Sequence, residues 1–253
     1  MIDNNRQILF IKNIFHDIQS ITMPVVAGFG RNVYIVKTAD KKYVCKFSDI
    51  ATAKRNLYVS KLFLANNINV PDISIHNSDD ICCETYPFIE GKTFHERILE
   101  GMSQEEQDKV YNQIFDLMHK IATVQCDSKN MLSGKHLLAK IVIKAFDMMN
   151  PKEQKTLGHA DLNTKNVILD SNDNICALID LDSVYLCNFV FMFVSMVSCA
   201  KMSGYVPQKL IDNYIASNTK SLVPIKKQIQ TYHFLRELYI KTLYKQMLNS
   251  KGK

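Results

Sequence analysis

The stretch Leu157-Gly158-His159-Ala160-Asp161-Leu162-Asn163-Thr164-Lys165-Asn166-Val167-Ile168-Leu169, followed after a short gap by Ala177-Leu178-Ile179-Asp180-Leu181-Asp182, decides how this chain is read. It holds His-x-Asp-x-x-x-x-Asn, a β-rich run, and an acidic pair at the end of an apolar strand. Phosphoryl transfer needs this inventory. One carboxylate orients the attacking hydroxyl and takes its proton, while an amide oxygen and a second carboxylate hold Mg²⁺ against the nucleotide phosphates. Asp161 is the candidate base, and Asn166 and Asp180 are the candidate metal ligands. Mg²⁺ prefers oxygen donors and keeps several waters, so two side chains plus phosphates suffice. A His-x-Asp pair in a loop is common by chance; its value lies in the combination with Asn166 and a strand-borne Asp180.

On these residues the segment resembles the catalytic segment of the aminoglycoside phosphotransferase and choline kinase superfamily, small-molecule kinases with a protein-kinase-like fold. Protein kinases share the spacing but carry Arg before the aspartate and Asp-Phe-Gly later. Here those places read Ala160 and Asp180-Leu181-Asp182, which favours the small-molecule branch. The resemblance implies an α+β, two-lobed fold: an N-terminal lobe with an antiparallel sheet and one helix over residues 1–88, and a mainly helical C-terminal lobe over 89–253. It also implies ATP or GTP with Mg²⁺ between them.

Length and composition fit this reading. The 253 residues suffice for two lobes sharing a cleft, and 47% apolar residues allow a sizeable core. The net charge of +6 suits phosphate-bearing ligands. No Lys/Arg run is interleaved with aromatics, so nucleic acid is not an expected partner. None of the seven cysteines forms a Cys-x-x-Cys pair, which points to reduced thiols of a cytoplasmic protein rather than to disulfides or zinc. The apolar run from Tyr185 to Ala200 contains Asn188, Ser195 and Ser198 and is short for a membrane span, so a fully buried helix is expected there.

Apolar positions at helical spacing predict an amphipathic helix over 7–19. Val25-Val26, Gly28-Phe29-Gly30, the run Val33–Val36 and Tyr43–Phe47 then read as strands around a glycine loop. Gly28 and Gly30 would let backbone N–H groups approach phosphate. In the resemblance, Lys46 contacts the nucleotide phosphates; the plain alternative is a strand-edge lysine reaching water. Ala51 to Ala65 reads as a helix with Leu57, Leu62 and Phe63 facing inward. The family's glutamate partner for this lysine is missing: Asn56 stands at the aligned place, and there is no Asp or Glu between Ile50 and Pro71. Restoring it by Asn56→Glu is expected to strengthen the hold on Lys46.

Asp72–Ile75 and Ile81–Tyr86 read as strands. Tyr86-Pro87-Phe88-Ile89-Glu90-Gly91-Lys92 resembles the family's hinge, where Pro87 could only accept from adenine and Ile89 would donate. Ser103-Gln104-Glu105-Glu106 is a capping box before a helix with Val110, Ile114, Leu117 and Ile121 on one face. His119 on it reads as structural. A helix is expected over Leu137 to Met148, and three more at about 186–201, 207–217 and 222–248, the last with Ile229, Tyr232, Leu235, Leu238, Tyr239 and Leu243 inward.

Two functional classes stay open on sequence. One is a small-molecule kinase acting on a hydroxyl acceptor. The other is a nucleotide-binding pseudokinase, kept in view by Asn56. A protein kinase is disfavoured because no Ala-Pro-Glu-like segment or long activation loop is present. Residues 184–253 carry only Asp212 and Glu237 as acids against ten bases, which argues against a polycationic acceptor unless Glu96, Glu100 or Glu153 lines the pocket. There is no Trp for a choline cage, though Tyr and Phe remain.

Overall fold

The first part of the chain carries short β-branched and aromatic runs separated by turns, and such segments pair into antiparallel sheets. In a computed structural model, which describes residues 4–24, 32–78, 80–127, 131, 137–217, 223–235 and 237, five of them form one sheet. They are β1 (Ile18–Thr22), β2 (Val33–Thr38), β3 (Lys42–Phe47), β4 (Ser74–Ser78) and β5 (Ile81–Pro87), in the order β1-β2-β3-β5-β4. The β3–β5 register sets Lys46 opposite Glu84.

Helix α1 (Asn4–Ile14) packs Ile11 onto Tyr34, Val36, Cys45, Phe47, Ile81 and Cys83, and Tyr34 OH donates to Gln7 Oε1 at 2.8 Å. The helix expected over 7–19 therefore stops at Ile14. Asp17 takes a positive φ of 54°, and Ile18 opens β1 instead. Helix α2 (Ile50–Ala65) starts on Asp49, which accepts the Thr52 N–H at 3.1 Å. Phe63 is buried and Leu57 and Leu62 are partly so, as expected. The strand expected at 72–75 begins two residues later. Ser60 Oγ on α2 donates to Pro71 O at 2.5 Å and accepts the Ile73 N–H at 3.3 Å, which ties 71–73 to the helix. Val25, Val26, Gly28 and Gly30 lie outside the described residues.

After β6 (Lys92–Thr93), α3 (Phe94–Leu99) and α4 (Gln104–Ala122) both begin with complete capping boxes, Thr93/Glu96 and Ser103/Glu106; only the second was expected. Helix α5 (Leu137–Met149) leads to β7 (Lys155–His159), β8 (Val167–Leu169) and β9 (Ile175–Leu178). A 3₁₀ turn (Leu181–Ser183), β10 (Val184–Asn188), α6 (Phe189–Met202) and α7 (Gln208–Ser217) follow, and residues 225–235 are helical. Every residue from Val190 to Ala200 is buried, as a helix without a polar face requires. Among the described residues no helix is long and apolar enough to cross a membrane.

The helix expected from about 186 is a correction. Residues 184–188 form β10, antiparallel to β7 with Tyr185 opposite Gly158, and α6 starts only after Asn188, whose Oδ1 accepts the Phe191 N–H at 2.8 Å. A short apolar run suits either structure, and the partner strand decides it. Leu238, Tyr239 and Leu243 lie outside the described residues.

Gly158 lets β10 and α6 close on the β7 strand. A Cβ there would lie 2.6 Å from Cys187 Sγ and 3.2 Å from Met192 Sδ. Gly158→Ala should destabilise the fold by about 1–3 kcal/mol, as overpacking does. Its melting-temperature loss should be partly relieved in Gly158→Ala/Cys187→Ala. Strictly additive losses in thermal unfolding would show that the two positions do not crowd one another.

Candidate functional site

Strand β3 and the segment after β9 bring Lys46 and Asp180 to the same point. Lys46 Nζ lies 2.7 Å from Asp180 Oδ1 and 2.9 Å from Asp182 Oδ2. Burial disfavours the charged ammonium, but Asp180, Asp182 and Glu84 outweigh it, and the pKa of Lys46 moves up. Lys46 is thus a partly buried ion-pair member rather than a strand-edge lysine reaching water.

The loop after β7 is fixed from several sides. His159 is fully buried; its Nδ1 accepts the Asp161 N–H at 3.3 Å, and its Nε2–H donates to Ile179 O at 3.2 Å. One imidazole therefore links the loop to the residue before Asp180. Asn166 Nδ2 donates to Asp161 O at 2.9 Å, and Asn166 O accepts the Ile179 N–H at 2.9 Å. Ser195 Oγ on α6 donates to Ala160 O at 2.5 Å and is itself 2.9 Å from Tyr232 OH. The structure thus gathers Lys46, Asp161, Asn166 and Asp180, four of the residues singled out in the sequence.

Asp180 has φ 63°, ψ 62°, a left-handed conformation that costs a non-glycine residue about 1–3 kcal/mol. The 3₁₀ turn that follows and the Lys46 ion pair hold it there. The carboxylate of Asp180 and the Asn166 amide oxygen, opposite the nitrogen committed to Asp161, are hard donors that suit a Mg²⁺-like cation. Among the described residues no group of three or more His, Cys, Asp or Glu side chains is arranged to hold a metal. Such a cation would therefore need phosphate and water oxygens to complete its shell.

At the hinge, Pro87 closes β5, and the Phe88 N–H donates to Lys42 O at 2.9 Å, so that amide is committed to the sheet. Ile89 follows in irregular backbone. Gly91 ends the segment at φ 145°, and a Cβ there would lie 2.5 Å from Leu169 O.

Sequence reasoning missed two residues, Glu84 and Ser195, and had Asp182 only as the second half of an acidic pair. Glu84 on β5 is 1% exposed and accepts from Ser48 Oγ at 2.7 Å and from Asn56 Nδ2 at 3.1 Å. Asp182 accepts from Asn56 Nδ2 at 2.5 Å. Ser195 anchors the loop. Each had a signal: Glu84 is the one acid in Ile81–Tyr86, and Ser195 interrupts an apolar run. The expected benefit of Asn56→Glu is a correction. Asn56 does face the site, as the alignment implied, but it already donates to two carboxylates, and an acid there would meet like charge.

No family model and no curated protein matches the sequence. Solved structures do match in fold. The choline kinase LicA from Streptococcus pneumoniae superposes with a TM-score of 0.64 at 14% identity, over 99% of this chain and 93% of that one. An aminoglycoside 3''-phosphotransferase from Streptomyces rimosus, in complex with ADP and streptomycin, gives 0.64 at 15% identity over 93% and 98%. An aminoglycoside 2''-phosphotransferase with GDP and kanamycin gives 0.66 at 13% over 98% and 95%. The chain has the two-lobed, protein-kinase-like fold of these small-molecule kinases, as its catalytic-type segment led us to expect.

Burial pushes His159 below its ordinary value of 6.5, against the pull of Asp161 and Asp180. Near and below pH 6.5 the unfolded chain binds a proton that the folded chain refuses. The stability His159 contributes is thus fully present above 6.5 and lost as pH falls toward its folded value. The slope can approach about 1.4 kcal/mol per pH unit for one proton. His159→Asn should lower the melting temperature at neutral pH and flatten its fall between about pH 7 and 5. An unchanged slope would show that His159 does not carry this acid sensitivity.

Proposed function

We propose that this protein is a small-molecule kinase that transfers the γ-phosphoryl group of ATP or GTP to a hydroxyl. The observation that carries the reading is the 2.7 Å contact between Lys46 and Asp180, residues 134 positions apart, beside a loop that presents Asp161 and Asn166. The nucleotide would lie between lobes 1–88 and 89–253, with Pro87 O and the Ile89 N–H at its base and Gly28 and Gly30 over its phosphates. Bound Mg²⁺, held by Asn166 and Asp180, would supply charge neutralisation at the phosphates. Asp161 orients the acceptor hydroxyl and takes its proton. Lys46 holds the phosphates, and α6 keeps the Asp161 loop in place through Ser195.

A pseudokinase remains the competing reading. Turnover is favoured because Asp161, Asn166 and Asp180 are all present and meet in one place, more than nucleotide binding alone requires. Asp161→Asn should keep Mg·nucleotide affinity and lower transfer about 10²–10⁴-fold, the usual worth of a general base. Asp180→Ala should instead lose Mg²⁺-dependent nucleotide binding in calorimetry. Parent-level transfer by Asp161→Asn in a screen of alcohols, sugars and nucleosides would remove Asp161 as base.

The acceptor is neutral or anionic rather than a polycation. Of the acids in 184–253, Glu237 Oε1 lies 3.2 Å from His233 Nε2, and Asp212 accepts from Gln208 Nε2 at 2.8 Å. Glu96 is committed to the α3 cap, and Glu100 pairs with Lys92 and Arg97 at 2.6 and 3.1 Å. Glu153, near Tyr214, is the one of these acids not engaged in this way, so a polycation would meet little acidic surface. Kanamycin should therefore be a poor substrate in a phosphorylation assay beside neutral sugars and nucleosides. Efficient, salt-sensitive kanamycin phosphorylation would overturn this.

A further inference from the structure

We propose that Glu84 is the positioning residue for Lys46, supplying from β5 the carboxylate that α2 lacks, with Asn56 as the amide that ties it to Asp182. The inference rests on the kinase reading and names the partner of its phosphate-binding lysine.

The register comes first. Lys46 and Glu84 are direct cross-strand partners in the β3–β5 ladder, so both side chains leave the same face of the sheet with their Cβ atoms about 4.5–5.5 Å apart. Glu84 is 1% exposed, and a buried carboxylate needs both hydrogen bonds and a compensating charge. Ser48 and Asn56 supply neutral donors, at 2.7 Å from one and 3.1 Å from the other. Burial pushes the Glu84 carboxyl up from its ordinary value, and the Lys46 charge, Ser48 and Asn56 pull against that shift toward the ionised form.

Asn56 explains why the carboxylate can sit on the strand. Its Nδ2 reaches both Glu84 oxygens at 3.1 Å and Asp182 Oδ1 at 2.5 Å. An amide donor between two carboxylates relieves their repulsion, which a third carboxylate would increase. The negative charge beside the lysine is therefore kept, and its carrier moves from the helix to the sheet. The arrangement also suits a bound state. Were Asp180 to hold a metal and Lys46 a phosphate, Glu84 and Asp182 would still stand beside the lysine.

An exchange of the two side chains tests this. Glu84→Gln should weaken Mg·ADP binding about tenfold, as loss of a charged partner does. Asn56→Glu alone should also weaken it. The double variant Asn56→Glu/Glu84→Gln, which returns the carboxylate to the helix and the amide to the strand, should recover to within about threefold of the parent. A merely structural Glu84 would not be rescued in this way. Unchanged affinity in a folded Glu84→Gln, or a double variant no better than Glu84→Gln, would overturn the proposal.

A melting-temperature cycle of Lys46→Met, Glu84→Gln and both, without ligand, separates this from the kinase reading. A parent chain that binds no Mg·ADP defeats the kinase reading, and the cycle still decides the pairing. Non-additive losses support it, as does a Glu84→Gln that unfolds the parent but not the Lys46→Met chain. Additive losses, or unfolding in both backgrounds, overturn it.

Discussion

A single ammonium set among three carboxylates organises this molecule. Lys46 pairs with Asp180 and Asp182 from the segment after β9 and stands opposite Glu84 of β5 in the ladder. Burying these charges apart would be costly, so each constrains the others. The β3–β5 register, the start of α2 and the left-handed turn at Asp180 are tied together by this cluster. Asn56 ties α2 into it, and Arg55 Nη2 donates to Asp182 O at 2.7 Å.

The second constraint is the rigidity of the Asp161 loop. A neutral His159, two hydrogen bonds of Asn166 and the Ser195 hydroxyl hold it from beneath. Ser195 sits on α6, whose residues Val190 to Ala200 are all buried. A base that must meet a hydroxyl in a narrow geometry benefits from such support, since misplacement by about 1 Å can cost 10²-fold in rate. Loop position is thus set by core packing as much as by local chain preference.

Several expectations failed or shifted for one shared reason. Residues 184–188 carry no local mark that separates strand from buried helix, and only pairing with β7 selects the strand. Residues 15–19 continue a helical pattern until Asp17 turns the chain into β1. Residues 72 and 73 were expected to be strand, but Ser60 on α2 accepts the Ile73 N–H and donates to Pro71 O beside them. In each case a partner distant in sequence outweighed the local pattern.

The sequence alone pointed to the two-lobed fold, through the resemblance that Asp161, Asn166 and Asp180 carry, and it singled out these three residues because they fall within one short segment. It also marked Lys46 through its strand and Asn56 through a missing acid. Only the tertiary structure decided which residue stands opposite the lysine on the neighbouring strand. Glu84 is 38 positions from Lys46 and 28 from Asn56. No local pattern connects them; the antiparallel register does, by placing a partly buried lysine opposite a buried carboxylate on the next strand.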